Sequence, residues 1–175
     1  DRTSRGLGDV YKRQISNSEN SLSNAMVDRL MLDDERFDGI LSSIENVISL
    51  EDPVGNKLYS NKRPNGMLVE RVSVPLGVIG IIYESRPNVT VDATVLCLKA
   101  GNSVILRGGS ECFNTNSEMV KSIQGALKEN SVSEHIVQYV STTDRAAVDY
   151  MLAKMGKYID VVVPRGGKGL VKKVQ

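Results

Sequence analysis

The chain has 175 residues, of which 41% are hydrophobic and 25% are charged, and its formal net charge at pH 7 is +1. This size and composition suit one globular domain with a substantial core. The near balance of charge gives no electrostatic reason to expect nucleic acid or an anionic membrane as a partner. No apolar run approaches the roughly 20 residues that cross a bilayer. The two cysteines have neither metal-site nor disulfide-framework spacing, so we expect no metal and a cytoplasmic location.

The first part of the chain divides into a tail and a helical region. Residues 1–17 show no periodicity, which indicates a disordered tail or a remnant of cloning or sequence assembly, outside the fold in either case. Residues 18–56 form an N-terminal region that is predicted to be helical from Ser18 to Leu50 and to end at Asp52-Pro53-Val54-Gly55. It has a short first helix and a second that begins near Asp33-Asp34-Glu35, because acids in the first turn are favoured by the helix dipole. The first helix carries Ala25, Met26, Leu30 and Met31, and the apolar stripe of the second is Phe37, Ile40, Leu41, Ile44, Val47 and Ile48.

Residues 57–73 have the pattern of a β-hairpin. Two short strands, near Leu58-Tyr59 and from Met67 to Val72, flank a turn that contains Asn65-Gly66, which is a strong hairpin signal. Because one strand face mixes polar and apolar residues, we expect this hairpin to lie outside the main core.

Residues 74–111 have the pattern of a strand–helix–strand unit. The β-branched run Val78–Ile82 and the run 104–106 each predict a strand buried on both faces. Between them, residues 90–100 form a predicted helix, and Gly101 stands where a glycine commonly ends a helix. The expected apolar face of that helix is Val91, Val95 and Leu98, widened by Ala93, Leu96 and Cys97. The two strands should be parallel with a right-handed crossover.

The rest of the chain alternates helices and strands. Three helices are predicted: one over about 114–129, capped by Asn114 or Asn116, a second that is capped by Thr142-Thr143-Asp144 and ends near Lys154, and a third that begins near Leu170. Strands are predicted over 136–140 and 158–163. This alternation predicts a doubly wound, mostly parallel, Rossmann-like α/β sheet, preceded by N-terminal helices and the hairpin. Because the chain stops about one turn into the last helix, we expect residues 74–175 to form a truncated domain.

Ligands of open α/β sheets bind outside the carboxyl ends of the strands, and those ends carry Glu84, Arg86, Asn88 and two Gly-rich segments. The segment Arg165-Gly166-Gly167-Lys168-Gly169 suits a phosphate at a helix N-terminus, or it is a plain tight turn. It is neither a Walker A loop nor a G-x-G-x-x-G fingerprint. The segment Arg107-Gly108-Gly109-Ser110 suits a ribose 2′-phosphate, or it is a solvated strand end.

Four single residues carry side chains that are candidates for chemistry. The amide of Asn88 is placed either to donate to a developing oxyanion or to cap a turn. Cys97 falls on an apolar helix face and is interpreted as core. Cys112 adjoins the Gly-rich loop, where its thiol has either a lowered pKa or a passive role, and His135 is expected at the surface.

Three motifs carry a resemblance to a known family. They are YESRPNVTVDA at 83–93, GNSVILRGG at 101–109 and VPRGGKGL at 163–170. In this order and spacing they resemble the γ-glutamyl phosphate reductase family of glutamate-5-semialdehyde dehydrogenases, in the aldehyde dehydrogenase superfamily. The resemblance runs from about Ser18 to Gln175, and residues 1–17 do not fit it.

The resemblance implies an activity in proline biosynthesis. Family members reduce L-glutamate 5-phosphate with NADPH to glutamate 5-semialdehyde, phosphate and NADP⁺, after a cysteine thiolate attacks the acyl phosphate. It also implies that Asn88 holds the oxyanion and that residues 57–73 form part of an oligomerisation arm of a homo-oligomer. Its cofactor residues for NADP(H) would be Arg107, Gly108, Gly109, Ser110, Arg165, Gly166, Gly167 and Gly169.

One departure from the family concerns the nucleophile. In the family it lies in a later catalytic domain, and neither Cys97 nor Cys112 lies in its motif. We therefore expect the chain to be an enzyme segment that is inactive alone. Two alternatives are a stand-alone nucleotide-binding module without catalysis and a non-functional segment.

Overall fold

The structure is a computed structural model that describes residues 9–10, 12–13, 16, 27–28, 30–84 and 86–166. Its helices are α1 (Asp34–Ser49), α2 (Pro87–Lys99), α3 (Phe113–Glu129) and α4 (Ala146–Lys154). Its strands are β1 (Lys57–Lys62), β2 (Leu68–Val72), β3 (Val78–Tyr83), β4 (Ser103–Arg107), β5 (Val137–Tyr139) and β6 (Val161–Arg165). The predicted first-helix residues Ala25 and Met26 and the helix expected from Leu170 lie outside the described residues. Within the described ranges, no helix is both long and apolar enough to span a membrane.

Strands β3 to β6 form one parallel sheet in the order β5-β4-β3-β6, which confirms the predicted α/β class. The chain runs outward from β3 through β4 to β5 and then returns to place β6 on the other side of β3. The strand order therefore reverses between β3 and β6, and this reversal defines the switch point at which doubly wound sheets bind ligands. Ile82 pairs with Arg107 and Tyr83 pairs with Arg165, so all three carboxyl ends lie at one edge.

Both faces of the sheet are covered, as predicted from the apolar run of β3. Ile79 and Ile81 pack on one face with Val89 and Ala93 of α2. Ile82 packs on the other face with Met151 of α4 and its neighbours. Alternate β3 side chains point to opposite faces, so an unbroken apolar run is what a doubly covered strand requires.

Helix α2 ends as the sequence predicts. Gly101 has φ +70° and donates its N–H to the Leu98 carbonyl at 3.0 Å, and the Asn102 N–H reaches the Cys97 carbonyl at 2.9 Å. This is a Schellman motif, in which a left-handed glycine satisfies the last helical carbonyls. The side chain of Asn102 then accepts from the N–H groups of Leu76 at 2.6 Å and Gly77 at 3.0 Å, which joins the end of α2 to the start of β3.

Helix α2 begins earlier than predicted, at Pro87 instead of Thr90, because a proline is favoured at the first helical position. It also buries two faces where one apolar stripe was predicted, since it lies between the sheet and α1. Thr90 and Thr94 are fully buried, whereas Leu96 is exposed. Both hydroxyls are satisfied: the Thr90 hydroxyl bonds the Tyr83 hydroxyl at 2.7 Å, and the Thr94 hydroxyl donates to the Thr90 carbonyl at 2.7 Å.

Two other predictions about where elements begin are wrong. Strand β6 begins at Val161, after Asp160 has accepted the Val78 N–H at 2.8 Å, and it continues through Pro164, which is tolerated because β6 is an edge strand of the described sheet. Helix α3 begins after a 3₁₀ turn at Ser110–Cys112, so neither Asn114 nor Asn116 caps it. The prediction for helix α4 is confirmed: Asp144 of the predicted cap accepts the Ala146 N–H on Oδ1 at 2.9 Å, and the helix ends at Lys154.

The two N-terminal elements match their predictions more closely. Asp33 caps α1 by accepting the Arg36 N–H at 2.9 Å, and Asp34 and Glu35 occupy the first turn. Strands β1 and β2 form an antiparallel hairpin with mostly exposed side chains, which confirms that it lies outside the main core.

Candidate functional site

The candidate site is the carboxyl edge of the parallel sheet around β3. Strands β4 and β6 flank β3, and their carboxyl ends carry Arg107-Gly108-Gly109 and Gly166. A Cβ added to Gly166 would lie 2.8 Å from Glu84 Oε1, so the end of β6 closely approaches the end of β3. The two Gly-rich segments therefore begin on the same edge of the sheet. Gly167, Lys168 and Gly169 lie outside the described residues.

Arg107 is buried at this edge, with 8% of its surface exposed, so the solvated strand-end alternative is wrong. Its guanidinium donates to the carbonyl of Gly108 and, at 2.9 Å, to the carbonyl of Thr143. Its Nε is buried without a hydrogen-bond partner. Within the described part of the chain it forms no ion pair. The arginine thus connects two loops at this edge and places there a positive charge that no carboxylate among the described residues neutralises.

Gly108 is confined by side chains from three elements. A Cβ at this position would overlap Asn116 Nδ2 of α3 and would lie 3.2 Å from the hydroxyl of Tyr139 and from Cζ of Tyr83. Asn116 is fully buried and donates to Cys112 Sγ at 3.0 Å. Only glycine fits at position 108, between the end of β4 and the Asn116 amide. This close approach fixes the path of the backbone from β4 to the exposed Ser110.

Neither cysteine has the environment of a nucleophile. Cys112 is fully buried, and burial raises the pKa of its thiol to about 11, although the hydrogen bond from Asn116 acts in the opposite direction. Burial also raises the pKa of Cys97, which packs in the core as predicted. The interpretation of Cys112 as a thiol of lowered pKa is wrong, because the thiol is fully buried, with its Sγ 3.5 Å from the Gly109 carbonyl oxygen. His135 is exposed, as predicted.

Asn88 lies in the first turn of α2, so the turn-capping alternative is wrong. Its side chain is exposed and lines a cavity of about 400 Å³ between α1 and the start of α2. The first turn of this 13-residue helix contains no acidic residue, and Arg86 precedes it. An amide donor at the positive end of a helix dipole is a suitable environment for a developing negative charge.

Two hydrogen bonds in this cavity were not predicted from the sequence. Ser43 of α1 donates its hydroxyl to Asp92 Oδ1 at 2.8 Å, and Asn88 Nδ2 donates to Asp92 Oδ2 at 3.3 Å. Asp92 stands within the motif at 83–93, one helical turn after Asn88, and that spacing is the only sequence signal for the pair. The described residues contain no group of three or more His, Cys, Asp or Glu side chains that would hold a metal ion.

Comparison with known proteins places these features in context. No family model matches the chain. The chain is 50% identical over 169 residues to the γ-glutamyl phosphate reductase of Erythrobacter litoralis, covering 97% of this chain and 40% of the relative. It is 54% identical over 153 residues to that of Paramagnetospirillum magneticum, covering 87% and 36%. The chain thus spans about two fifths of the length of the curated relatives it matches.

Solved structures agree with the sequence matches. The γ-glutamyl phosphate reductase of Thermotoga maritima superposes with a TM-score of 0.94 at 42% identity, covering 99% of this chain and 42% of that one. The Saccharomyces cerevisiae enzyme gives 0.87 at 32% identity, covering 99% and 44%. A probable aldehyde dehydrogenase from Listeria monocytogenes gives 0.66 at 20% identity, covering 98% and 36%, and shows the shared fold alone.

Proposed function

We infer that this chain, a homologue of the γ-glutamyl phosphate reductases over about two fifths of their length, supplies the nucleotide-binding part of such an enzyme. The proposed reaction is the NADPH-dependent reduction of L-glutamate 5-phosphate to L-glutamate 5-semialdehyde in proline biosynthesis. The observation that carries this proposal is the switch point between β3 and β6, with the two Gly-rich segments on the same edge. A cytoplasmic location is part of the same proposal.

The residues at this edge fit an anionic dinucleotide. Arg107 contributes a positive charge that no described carboxylate neutralises, and its buried Nε lacks a hydrogen-bond partner. Ser110 is exposed and uncharged, so it does not repel a 2′-phosphate, which supports NADP(H) over NAD(H). We assign cofactor contacts to Arg107, Gly108, Gly109, Ser110, Arg165 and Gly166, and, outside the described residues, to Gly167 and Gly169. When bound, the cofactor supplies the hydride for the reduction.

Asn88 is proposed to donate its side-chain N–H to the oxyanion that forms when the acyl group is attacked. Its position at the positive end of α2 strengthens such a donor, because the helix dipole favours negative charge there. Loss of one oxyanion donor typically lowers kcat by about 10²- to 10³-fold.

The attacking thiolate is proposed to come from the part of the relatives that this chain does not span. Cys97 and Cys112 are both buried with raised pKa values, so neither offers a thiolate at neutral pH. Mixing the purified chain with NADPH and L-glutamate 5-phosphate should leave the NADPH absorbance unchanged, and turnover would refute this assignment.

Cofactor binding is tested on the chain itself. We expect an immobilised 2′,5′-ADP resin to retain the chain and free NADPH to release it, and we expect Arg107→Ala to abolish retention. Arg63→Ala, in the exposed hairpin turn, is the matched control and should bind as the parent does. Equal retention of all three proteins would contradict the assigned site. A stand-alone binding module predicts the same retention, and the coding DNA beyond Gln175 distinguishes the two, since an enzyme requires a downstream nucleophilic cysteine.

The hairpin supports a proposal that the complete enzyme is a homo-oligomer. Both hairpin strands and the turn between them expose large apolar side chains: Leu58, Tyr59, Met67 and Leu68. A second copy of the chain is the partner that we propose to cover these side chains.

A further inference from the structure

Asp92 is hydrogen-bonded on both of its oxygens by residues from two different helices. Ser43 Oγ, on α1, donates to Oδ1 at 2.8 Å, and Asn88 Nδ2, one turn earlier on α2, donates to Oδ2 at 3.3 Å. Ser43 and Asp92 are partly buried at the packed surface between α1 and α2. All three side chains line the cavity at the start of α2. One carboxylate therefore connects the Asn88 amide to a neighbouring helix.

This arrangement determines which end of the Asn88 amide faces Asp92. An ionised carboxylate only accepts hydrogen bonds, whereas the amide has a donating nitrogen and an accepting oxygen. Rotation of the amide by 180° would place Oδ1 against Oδ2 of Asp92 and replace an attraction by a repulsion. Nδ2 has two hydrogens, so donation of one to Asp92 leaves the second available to another acceptor.

The bond from Ser43 holds the carboxylate itself. An isolated Asn–Asp pair one turn apart on an exposed helix contributes only a few tenths of a kcal/mol, too little to restrict the amide by itself. The Ser43 hydroxyl comes from α1, whose position relative to α2 is set by packing of Ile40 against Val91. The packing of α1 against α2 thus fixes the position of the Asp92 carboxylate, and the hydrogen bond from Asn88 to that carboxylate fixes the orientation of the Asn88 amide.

We propose that Asp92, held by Ser43, is a positioning residue that orients Asn88 with Nδ2 towards the oxyanion. This inference rests on the proposed function, because it assumes that Asn88 is the oxyanion donor. Arg36 and Arg86 line the same cavity, and Arg36 is paired with Asp28 at 2.8 Å. Ser43 and Asn88 each donate to a different oxygen of Asp92, so both oxygens of the carboxylate are engaged within this cavity.

The first test observes the amide directly in the chain as it stands. In ¹⁵N-labelled protein, Asn88→Ala identifies the side-chain NH₂ resonances of Asn88 by their loss. We expect Asp92→Ala and Ser43→Ala to shift these resonances towards the values of a free amide. Ser43→Thr, which keeps the hydroxyl, and Ser42→Ala, the exposed neighbour on the same helix, should leave them unchanged. Unshifted resonances in Ser43→Ala and Asp92→Ala, with the backbone spectrum otherwise intact, would overturn the proposal. Ser43→Ala removes a single hydroxyl, so it keeps the test decisive if Asp92→Ala does not fold.

The second test separates positioning from a merely structural role. It uses a full-length γ-glutamyl phosphate reductase in which residues 18–175 of this chain replace the matching segment. We expect Asn88→Ala to lower kcat about 100-fold. Asp92→Ala should lower kcat about 10-fold, with little change in KM for NADPH. The double variant should match Asn88→Ala alone, because Asp92 acts through Asn88.

The kcat values of the single and double variants distinguish the positioning role of Asp92 from the oxyanion role of Asn88. If Asp92→Ala lowers kcat tenfold further in the Asn88→Ala background, Asp92 acts independently and the positioning role is overturned while the oxyanion role stands. If Asn88→Ala leaves kcat unchanged, the oxyanion role fails instead. Recovery of kcat in Ser43→Thr relative to Ser43→Ala would support the link from α1 to the amide.

Discussion

Replacement of Gly108 by alanine would place a methyl group where the Asn116 amide already lies. The added Cβ would overlap Asn116 Nδ2 and would also lie 3.2 Å from the hydroxyl of Tyr139 and from Cζ of Tyr83. Asn116 is fully buried and bonded to Cys112 Sγ, so it has no free direction in which to move. Either the amide shifts and loses that bond, or the end of β4 moves away from α3.

Overpacking of this kind costs about 1 to 3 kcal/mol. At roughly 2 to 4 °C per kcal/mol for a chain of this size, Gly108→Ala should lower Tm by about 2 to 12 °C in calorimetry. Because Arg107 immediately precedes Gly108 at the end of β4, the same variant should also bind NADPH more weakly in a fluorescence titration. Both effects have one physical source, so they should appear together.

Gly125→Ala is the matched control. Gly125 lies in α3 with no atom within 4 Å of an added Cβ, so alanine should stabilise the helix by about 0.5 to 1 kcal/mol and raise Tm. A second control is the Gly108→Ala/Asn116→Ala double variant, in which removal of the amide makes room for the new methyl. It should be less destabilised than the sum of the single variants. A Gly108→Ala protein with unchanged Tm and unchanged NADPH affinity would refute the packing argument.

Three further predictions concern other parts of the chain. Asn102→Ala should lower the free energy of unfolding by about 2 to 3 kcal/mol in urea denaturation, because it removes the acceptor of the Leu76 and Gly77 N–H groups; an unchanged urea midpoint would contradict this. Burial raises the pKa of Cys112 from 9.0 to about 11, so the folded state holds this proton more tightly than the unfolded state does. The protonated thiol therefore contributes roughly 3 kcal/mol to the free energy of unfolding below about pH 9, and this contribution is lost as the pH rises to about 11. The free energy of unfolding of Cys112→Ala should fall less over this pH range. Identical pH profiles of the two proteins would exclude the thiol as the cause of the fall. In the full-length chimera, Leu68→Glu in the exposed hairpin should lower the oligomer mass in sedimentation experiments, whereas Lys157→Glu, at an exposed position outside the hairpin, should not. Equal masses for the Leu68→Glu and parent proteins would remove the hairpin from the interface.

The elements predicted correctly are those whose signals are local. Three such signals are confirmed in the structure: the apolar run of β3, the acidic first turn of α1 and the glycine that ends α2. Each depends on residues that are only a few positions apart in the chain. The predicted start of α2, at residue 90, is wrong because the apolar periodicity on which it rests begins only there. Pro87 instead occupies the first helical turn, a position that proline tolerates.

The site was predicted in outline and not in its contacts. The sequence located the Gly-rich segment at residues 107–110, but it did not show that Arg107 would be buried against carbonyls of the loop at 143–144. Nor did it show that Asn116 of α3 excludes a side chain at position 108. Both contacts join residues that are close in space only after the strands have paired.

The sequence by itself determined the helix and strand types, the parallel class of the sheet and the segments that reach its carboxyl edge, because residue periodicity and turn chemistry act over short distances. The tertiary structure alone decided that β6 returns beside β3, that two threonines of α2 are buried, and that Ser43 holds Asp92 across 49 residues of sequence. These features depend on which surfaces meet when apolar faces are removed from water, and that pairing is a property of the whole chain.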